Sequence, residues 1–150
     1  MQRIASAVWK GGPRAGEGTV SSSTGVLEHV PYSFTTDSHN QACTSPCELL
    51  AAAHASGVAI ACAAELTRAG FLPQLIEAEA VISMEQTGSY WKITASHLNL
   101  NARVPNIDFA RFREIAERAS EICPVSVMLG ASMKVTVDVE LDPAHIFVHA

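Results

Sequence analysis

The spacing of apolar and polar residues changes several times along the chain, and each spacing predicts a different element. Residues 3–34 contain short β-type segments separated by Gly-rich stretches such as "KGGPRAGEG", which predicts two or three short strands. Residues 35–45, "TTDSHNQACTS", are polar and have no period, so we expect an exposed loop. A long run of small apolar residues follows and predicts a helix from residue 46 to about residue 68.

The predicted helix has recognisable residues at both ends. Ser45 and Glu48 have the spacing of a capping box, Pro46 takes the first helical position, and Gly70 is placed to end the helix. The apolar stretch is short for a membrane span, is rich in Ala and Gly, and contains His54. We therefore expect a helix buried on most sides by protein, and no membrane segment.

The second half of the chain switches between strand and helix periods. Residues 75–84 and 90–104 predict a long hairpin around the turn "EQTGS", and "ASMKVTVDVEL" predicts a final half-buried strand. Between them, an amphipathic helix ends before Pro124 and a short helical turn follows over residues 124–129. Five apolar residues lie on one side of that helix: Phe109, Phe112, Ile115, Ala116 and Ala119. This order predicts a single α+β domain over residues 1–150, with sheet packed on two main helices.

Composition narrows the class of protein. A chain of 150 residues with 48% hydrophobic and 17% charged residues fits one globular domain with a substantial core. The formal net charge of −5, with scattered basic residues, argues against nucleic-acid binding. The first ten residues do not have the pattern of a secretory signal peptide, so we expect a cytoplasmic protein. Cysteines in such a protein are more often reduced, catalytic or metal-binding than structural: Cys43, Cys47, Cys62 and Cys123.

Six words of the sequence, in this order, resemble the osmotically inducible protein C / organic hydroperoxide resistance (OsmC/Ohr) family: "GEGTVSSSTGVL", "PYSF", "SPCELLAAAHAS", "AGFLP", "VPNID" and "ICPVS". The resemblance covers nearly the whole chain. It implies an OsmC-like fold with antiparallel sheets and two main helices, in an intertwined homodimer that buries the central helices. For typical members it also implies thiol-dependent reduction of organic hydroperoxides.

The resemblance assigns site positions, and several of them differ here. The family's central helix reads like N-P-E-E-L-x-A-A-A-H-A-A-C, and its last residue, the peroxidatic cysteine, corresponds to Gly57. The first Glu of that word, which belongs to the activating network, corresponds to Cys47, and an arginine of the OsmC branch corresponds to Asp37. The family's second cysteine, in the word "CPVS", is kept as Cys123. Arg14, in the Gly-rich loop, matches the arginine of the Ohr branch.

Peroxide reduction needs a thiolate that attacks the O–O bond, and Gly57 has no side chain with which to do so. Cys47 is the leading candidate because the second position of a helix places its sulfur beside backbone N–H groups that favour a thiolate. Glu48 beside it works against a thiolate, as does Asp37 in place of the arginine. The alternative is that Cys47 is only a small residue in place of a Glu that has lost its use. Cys123 stands at the start of the short helical turn, and both a functional and a structural interpretation stay open.

The remaining candidates have simpler interpretations. Cys43 forms C-x3-C with Cys47, which favours a spare thiol, with a resolving partner for Cys47 as the alternative. A metal site made of Cys43, Cys47, His39 and Asp37 ranks below both.

Residues of the apolar helix and the large aromatic residues are expected to be structural. Cys62 and His54 lie inside the helix, where a small hydrophobe and a hydrogen-bonded core residue are the usual roles. Gly57 is expected to allow close packing or to open a small pocket. Four aromatic residues are expected to fill the core, with the lining of the site as the alternative: Trp9, Tyr32, Phe34 and Trp91.

Two functions follow from these residues. The first is a thiol-dependent redox protein in which Cys47 and Cys123 reduce organic hydroperoxides, a disulfide forms, and a dithiol reductant restores the thiols. The second is a non-catalytic protein that binds a small apolar or lipid-like ligand beside Gly57. Both need a homodimer, and neither needs a metal or another cofactor.

Overall fold

The computed structural model describes residues 1–34 and 42–142, which form two compact units that divide after Leu49. Each unit contains one three-stranded sheet, and the second also contains most of the helical structure. The predicted order of strands and helices is confirmed. The predicted loop over residues 35–45 lies largely outside the described residues.

The N-terminal sheet is antiparallel and consists of β1 (Ala5–Lys10), β2 (Glu17–Ser22) and β3 (Val30–Tyr32) in that order. Gly18 lies on the central strand of this sheet, where it pairs with Trp9 on one side and Tyr32 on the other. A Cβ at position 18 would lie 2.5 Å from the Tyr32 ring and 2.6 Å from the Trp9 ring. Glycine at this position therefore lets the two aromatic rings approach each other over the strand.

Helix α1 (Pro46–Arg68) begins and ends at the residues that the sequence indicated. The Ser45 hydroxyl accepts a hydrogen bond from the Glu48 backbone N–H at 3.1 Å, while the Glu48 carboxylate accepts one from the Thr44 hydroxyl at 2.8 Å. At the other end Gly70 has φ +91°. The Gly70 N–H donates a hydrogen bond to the Thr67 carbonyl, and the Phe71 N–H donates one to the Leu66 carbonyl. These two bonds form a Schellman motif. The motif favours glycine at this position because glycine adopts positive φ without strain.

The second sheet has the order β4 (Leu75–Thr87), β5 (Tyr90–Arg103) and β6 (Lys134–Asp142). The β4–β5 pair is the predicted antiparallel hairpin, but β6 pairs with β5 in parallel. The expectation of antiparallel sheets is therefore wrong for this pair. The reason is the helical connection between β5 and β6, since a crossover of that length returns the chain to the same end of the sheet.

Two helices form the crossover, α2 (Phe109–Ile122) and α3 (Pro124–Gly130). Asp108 caps α2, because its side chain accepts a hydrogen bond from the Arg111 backbone N–H. The break between α2 and α3 falls at Cys123, whose ψ of 127° is extended. Proline disfavours a helical conformation in the residue before it, so Pro124 accounts for the break.

The core of the C-terminal unit contains residues of α1, α2 and the inner face of β5, with Phe112 as its largest fully buried side chain. The predicted apolar side of α2 is confirmed for four of its five residues, but Phe109 is 49% exposed. Three of the four aromatic residues expected in the core are also exposed, Trp9, Phe34 and Trp91. Aromatic type alone was therefore a poor guide to burial.

Helix α1 is less buried than its composition suggested. Only five of its residues are buried in the described chain: His54, Val58, Cys62, Glu65 and Leu66. Ile60 is 72% exposed, and small apolar residues such as Ala52 and Ala64 lie on the surface. The expectation of a helix buried on most sides is wrong for a single chain. By length and composition alone, α1 is also long and apolar enough to cross a membrane. A single helix of this kind is weak evidence for a membrane span.

Candidate thiol site

Cys123 lies at the junction of α2 and α3 and ends one helix while it begins the next. Its backbone N–H donates to the Ala119 carbonyl, and its own carbonyl accepts from the Val127 N–H. The side chain is fully buried in the described chain. The predicted position at the start of a short helix is confirmed, and the sulfur points into the protein.

Gly57 faces this sulfur. A Cβ built at position 57 would lie 3.0 Å from Cys123 Sγ and 3.4 Å from Cγ2 of Val125. A contact of 3.0 Å is tighter than ordinary van der Waals distance, so the sulfur occupies space that a side chain at position 57 would need. Gly57 therefore allows close packing and does not open a pocket in the direction of its missing side chain.

His54, one turn before Gly57, makes two hydrogen bonds inside the same unit. Its Nδ1 lies 2.7 Å from the Ser96 hydroxyl of β5, and its Nε2 lies 2.8 Å from the Ser126 hydroxyl of α3. His54 and Ser96 are fully buried, and Ser126 is 5% exposed. Burial lowers the pKa of His54, because the protonated ring loses its hydration. The expectation of a hydrogen-bonded core histidine is confirmed.

The other cysteines differ in environment. Cys62 is fully buried, and burial raises its pKa to about 11, so it is a protonated thiol at neutral pH. Cys43 is half-buried, with its sulfur 3.4 Å from the Ser33 hydroxyl. Cys47 is half-buried at the second position of α1. None of these cysteines is in a disulfide.

The predicted site residues fall into two groups. Gly57 and Cys123 lie in the C-terminal unit and are in contact. Cys43, Cys47, Glu48 and Arg14 lie in the N-terminal unit, where Arg14 is exposed in the turn between β1 and β2. Asp37 lies outside the described residues, as does His39, so the metal site that would use them stays a prediction.

Comparison with known proteins decides the family. A family model described as OsmC-like protein matches residues 38–138. Escherichia coli (strain K12) Peroxiredoxin OsmC is 38% identical over 133 residues, which are 89% of this chain and 92% of that protein. The chain belongs to the OsmC-like protein family. The Shigella flexneri protein of the same name matches this OsmC-like chain equally well.

Solved structures show the OsmC-like fold. An OsmC-like protein from Mycoplasma pneumoniae has a TM-score of 0.77 at 15% identity, over 95% of this chain and 99% of that one. The organic hydroperoxide resistance protein OhrB of Bacillus subtilis has a TM-score of 0.68 at 23% identity, over 91% and 98% of the two chains. At these identities the likeness concerns the fold, and it confirms the α+β OsmC-like architecture.

Two residues of the candidate site were missed by sequence reasoning, Ser96 and Ser126. Ser96 precedes Leu98, Leu100 and Ala102 on the buried face of β5, so it is a polar residue in an apolar series. A buried hydroxyl needs a hydrogen-bond partner, and His54 on the apolar helix was the available one. Ser126 stands in the word "CPVS", three residues after Cys123. That spacing indicates that the two residues lie close together at the start of the short helix.

Proposed function

We propose that this OsmC-like protein is a thiol-dependent redox protein that reduces organic hydroperoxides through Cys47 and Cys123. One relative is named a peroxiredoxin, and one structural neighbour is named an organic hydroperoxide resistance protein. The observation that carries the proposal is the contact of Cys123 with Gly57. By resemblance, position 57 holds the family's nucleophile, so a thiol remains beside the lost one.

The reaction needs one oxidant and one reductant. A thiolate of Cys47 attacks the O–O bond of the hydroperoxide, which releases an alcohol after protonation and leaves a sulfenic acid. Cys47 and Gly57 are ten residues apart on α1, which is about 15 Å, and Cys123 contacts Gly57, so the two sulfurs of one chain are too far apart for a disulfide. The Cys123 thiol of the second copy in the expected homodimer therefore condenses with the sulfenic acid to form a disulfide and water. A dithiol reductant then exchanges with the disulfide, restores both thiols and is itself oxidised.

Burial assigns the two thiols to different steps. Cys47 is half-buried, so its side chain is more accessible to a hydroperoxide than that of Cys123. Cys123 is fully buried, so it must be uncovered before it meets a partner sulfur. This order suits Cys47 as the first nucleophile and Cys123 as the resolving thiol. Cys43 is the competing partner, because it precedes Cys47 by four residues.

Supporting roles follow for two charged residues. The Glu48 carboxylate accepts a hydrogen bond from the Thr44 hydroxyl, which offsets part of its negative charge and so weakens its repulsion of a Cys47 thiolate. Arg14 is exposed, and it is proposed to hold an anionic intermediate only in the assembled protein. Asp37 remains a candidate neighbour of the site on the resemblance alone.

The test is the consumption of cumene hydroperoxide in the presence of a dithiol. The wild-type protein is expected to consume it, and Cys47→Ser is expected to lose the activity. Cys123→Ser should accumulate a sulfenic acid or a mixed disulfide instead of a disulfide to Cys123. Cys62→Ala is the matched control, because that thiol is buried and protonated. Activity that survives Cys47→Ser would contradict the assignment of the nucleophile.

A homodimer is part of the proposal. The exposed apolar surface of α1, with Ile60 at 72% exposure, is what a second copy of the chain would cover. Size-exclusion chromatography with light scattering should give twice the chain mass, and Ile60→Glu should shift the mass toward the monomer. A wild-type monomer at all concentrations would contradict this part. A cytoplasmic location also remains a prediction.

The burial of Cys123 favours a second candidate, a non-catalytic OsmC-like protein that binds a small apolar ligand. In that case all four cysteines should survive cumene hydroperoxide treatment in reduced form, and no peroxide should be consumed. Saturable binding of a fatty acid, measured by calorimetry, would then support this candidate. Peroxide consumption that depends on Cys47 would exclude it.

A further inference from the structure

A hydrogen-bonded chain of three side chains crosses the interior of the C-terminal unit. Ser96 on β5, His54 on α1 and Ser126 on α3 are linked at 2.7 Å and 2.8 Å. Ser96 belongs to the central strand of its sheet, where it pairs with Ile82 of β4 and Val135 of β6. The three hydrogen-bonded side chains therefore connect α3 through α1 to the central strand of the sheet.

Helix α3 is short and attaches to the core through few side chains. It has seven residues, and only Ser126 and Leu129 are buried. Its N-cap residue, Cys123, makes no side-chain capping bond, and Pro124 has no backbone N–H to donate. Val127 and Met128 are each 60% exposed. Cys123 is fully buried and Val125 packs against the core, so the Ser126 hydrogen bond is a polar attachment that holds the start of α3 beside this apolar packing.

The bond to Ser126 and the contact of Cys123 lie side by side. His54 and Gly57 are three residues apart on α1, so they share one face of the helix. Cys123 and Ser126 are also three residues apart, and each meets one of the α1 residues: Ser126 meets His54, and Cys123 meets Gly57. Release of the first contact would therefore loosen the second.

Ser126 also borders a cleft of the C-terminal unit. It lines a cleft of about 320 Å³ between α2, α3 and β6, together with Ser120, Glu117 and Thr136. A small movement of α3 toward this cleft would lengthen the bond to His54. Cys123 precedes Ser126 by three residues, so the same movement would also draw its sulfur away from Gly57.

We propose that the chain Ser96–His54–Ser126 is a latch that holds the start of α3 against α1 and so controls access to the Cys123 thiol. His54 and Ser126 are positioning residues, because they act through the placement of Cys123. The proposal names the regulation of the proposed thiol site and rests on the proposed function for its redox purpose. Access to the thiol, however, is measured without any peroxide.

The test is the alkylation rate of each cysteine in the whole protein, followed by N-ethylmaleimide labelling and peptide mass spectrometry. Ser126→Ala is expected to label Cys123 about tenfold faster than wild type, since loss of one buried hydrogen bond shifts a local opening equilibrium by about that factor. Cys62 is the internal reference, because it is fully buried on α1. Its ratio of variant to wild-type rate should stay near one.

The matched control is Ser120→Ala. Ser120 is 6% exposed and lines the same cleft, but its hydroxyl donates to the Glu117 carbonyl of its own helix. Its loss should leave Cys123 labelling close to the wild-type rate. Ser126→Thr, which keeps a hydroxyl, should restore slow labelling.

Two results would overturn the latch. The first is an unchanged Cys123 rate in Ser126→Ala, and the second is equal acceleration of Cys123 and Cys62, which would show general unfolding. His54→Leu provides an independent second variant, because it removes both bonds of the chain and should accelerate Cys123 alone. A failure of the peroxidase assay would not change these ratios, so the latch and the proposed function fail separately.

Discussion

Replacement of Gly57 by cysteine is the sharpest test of the site geometry. In a disulfide, the S–S bond of about 2.05 Å places each Cβ roughly 3.0 Å from the opposite sulfur. A Cβ at position 57 would lie 3.0 Å from Cys123 Sγ. Gly57→Cys should therefore form an internal disulfide with Cys123 under mild oxidation, with little movement of α1 or α3.

The expected stabilisation follows from the length of the closed loop. Residues 57 and 123 are separated by about 65 residues, for which the chain-entropy model gives ~4 kcal/mol relative to the reduced form. The reduced variant should be less stable than wild type by roughly 1–3 kcal/mol, because the added sulfur must share the space that Cys123 occupies.

The assay is urea denaturation of the oxidised and reduced forms, with alkylation and mass spectrometry to locate the bond. Ser56→Cys is the matched control, because Ser56 is exposed on α1 and one residue away. It should give no bond to Cys123. Absence of a peptide linking positions 57 and 123, in a protein that is otherwise folded, would refute the contact on which the site is built.

Three further predictions concern packing and charge. Gly57→Ala should destabilise the protein by about 1 kcal/mol, because overlap with the Cys123 sulfur exceeds the helix-propensity gain. Denaturant titration should show that the loss disappears in the Cys123→Ala background, and additive effects would contradict it. Burial lowers the pKa of His54 below 6.5, so the stability that its neutral ring provides is full above that pH and is lost below it. Urea titrations of His54→Gln should therefore show a flatter pH dependence below pH 6.5, and an unchanged slope would contradict this. Phe112→Ala should cost about 3–5 kcal/mol in thermal or urea unfolding, and Phe109→Ala less than about 1 kcal/mol, since only the first is buried. Equal costs would contradict the packing of α2.

Sequence reasoning succeeded where the signal is local. The ends of α1 were predictable because Ser45, Pro46 and Gly70 act on amides within one turn of themselves. The hairpin and the apolar side of α2 were predictable for the same reason, since a period of two or 3.6 residues reports which side chains share a face. Phe109 was the exception, because it is the first residue of α2.

The direction of β6 could not be predicted from its alternation. Alternation assigns faces to a strand, but it is the same for a parallel and an antiparallel neighbour. The choice depends on the end of the sheet to which α2 and α3 return the chain. The separation of the strands into two sheets also depends on non-local pairing.

The contact of Gly57 with Cys123 was beyond sequence reasoning, because it joins residues that are far apart in the chain. The burial of Cys123 was more accessible. It follows Ala119 by four residues, and Ala119 follows Ile115 by four, so the apolar series of α2 leads to it. The family resemblance drew attention to the chemistry of this cysteine and away from its place in the core.

Disulfide mapping after a single exposure to cumene hydroperoxide tests the central claim most directly. The peptides of wild-type protein, digested without reductant, should contain a linked pair of Cys47 and Cys123, while peroxide is consumed in proportion to the bonds formed. Dithiol treatment should reverse the linkage. Four intact thiols with no peroxide consumed, or a bond between Cys43 and Cys47 alone, would contradict the claim that Cys47 and Cys123 carry the redox chemistry of this OsmC-like protein.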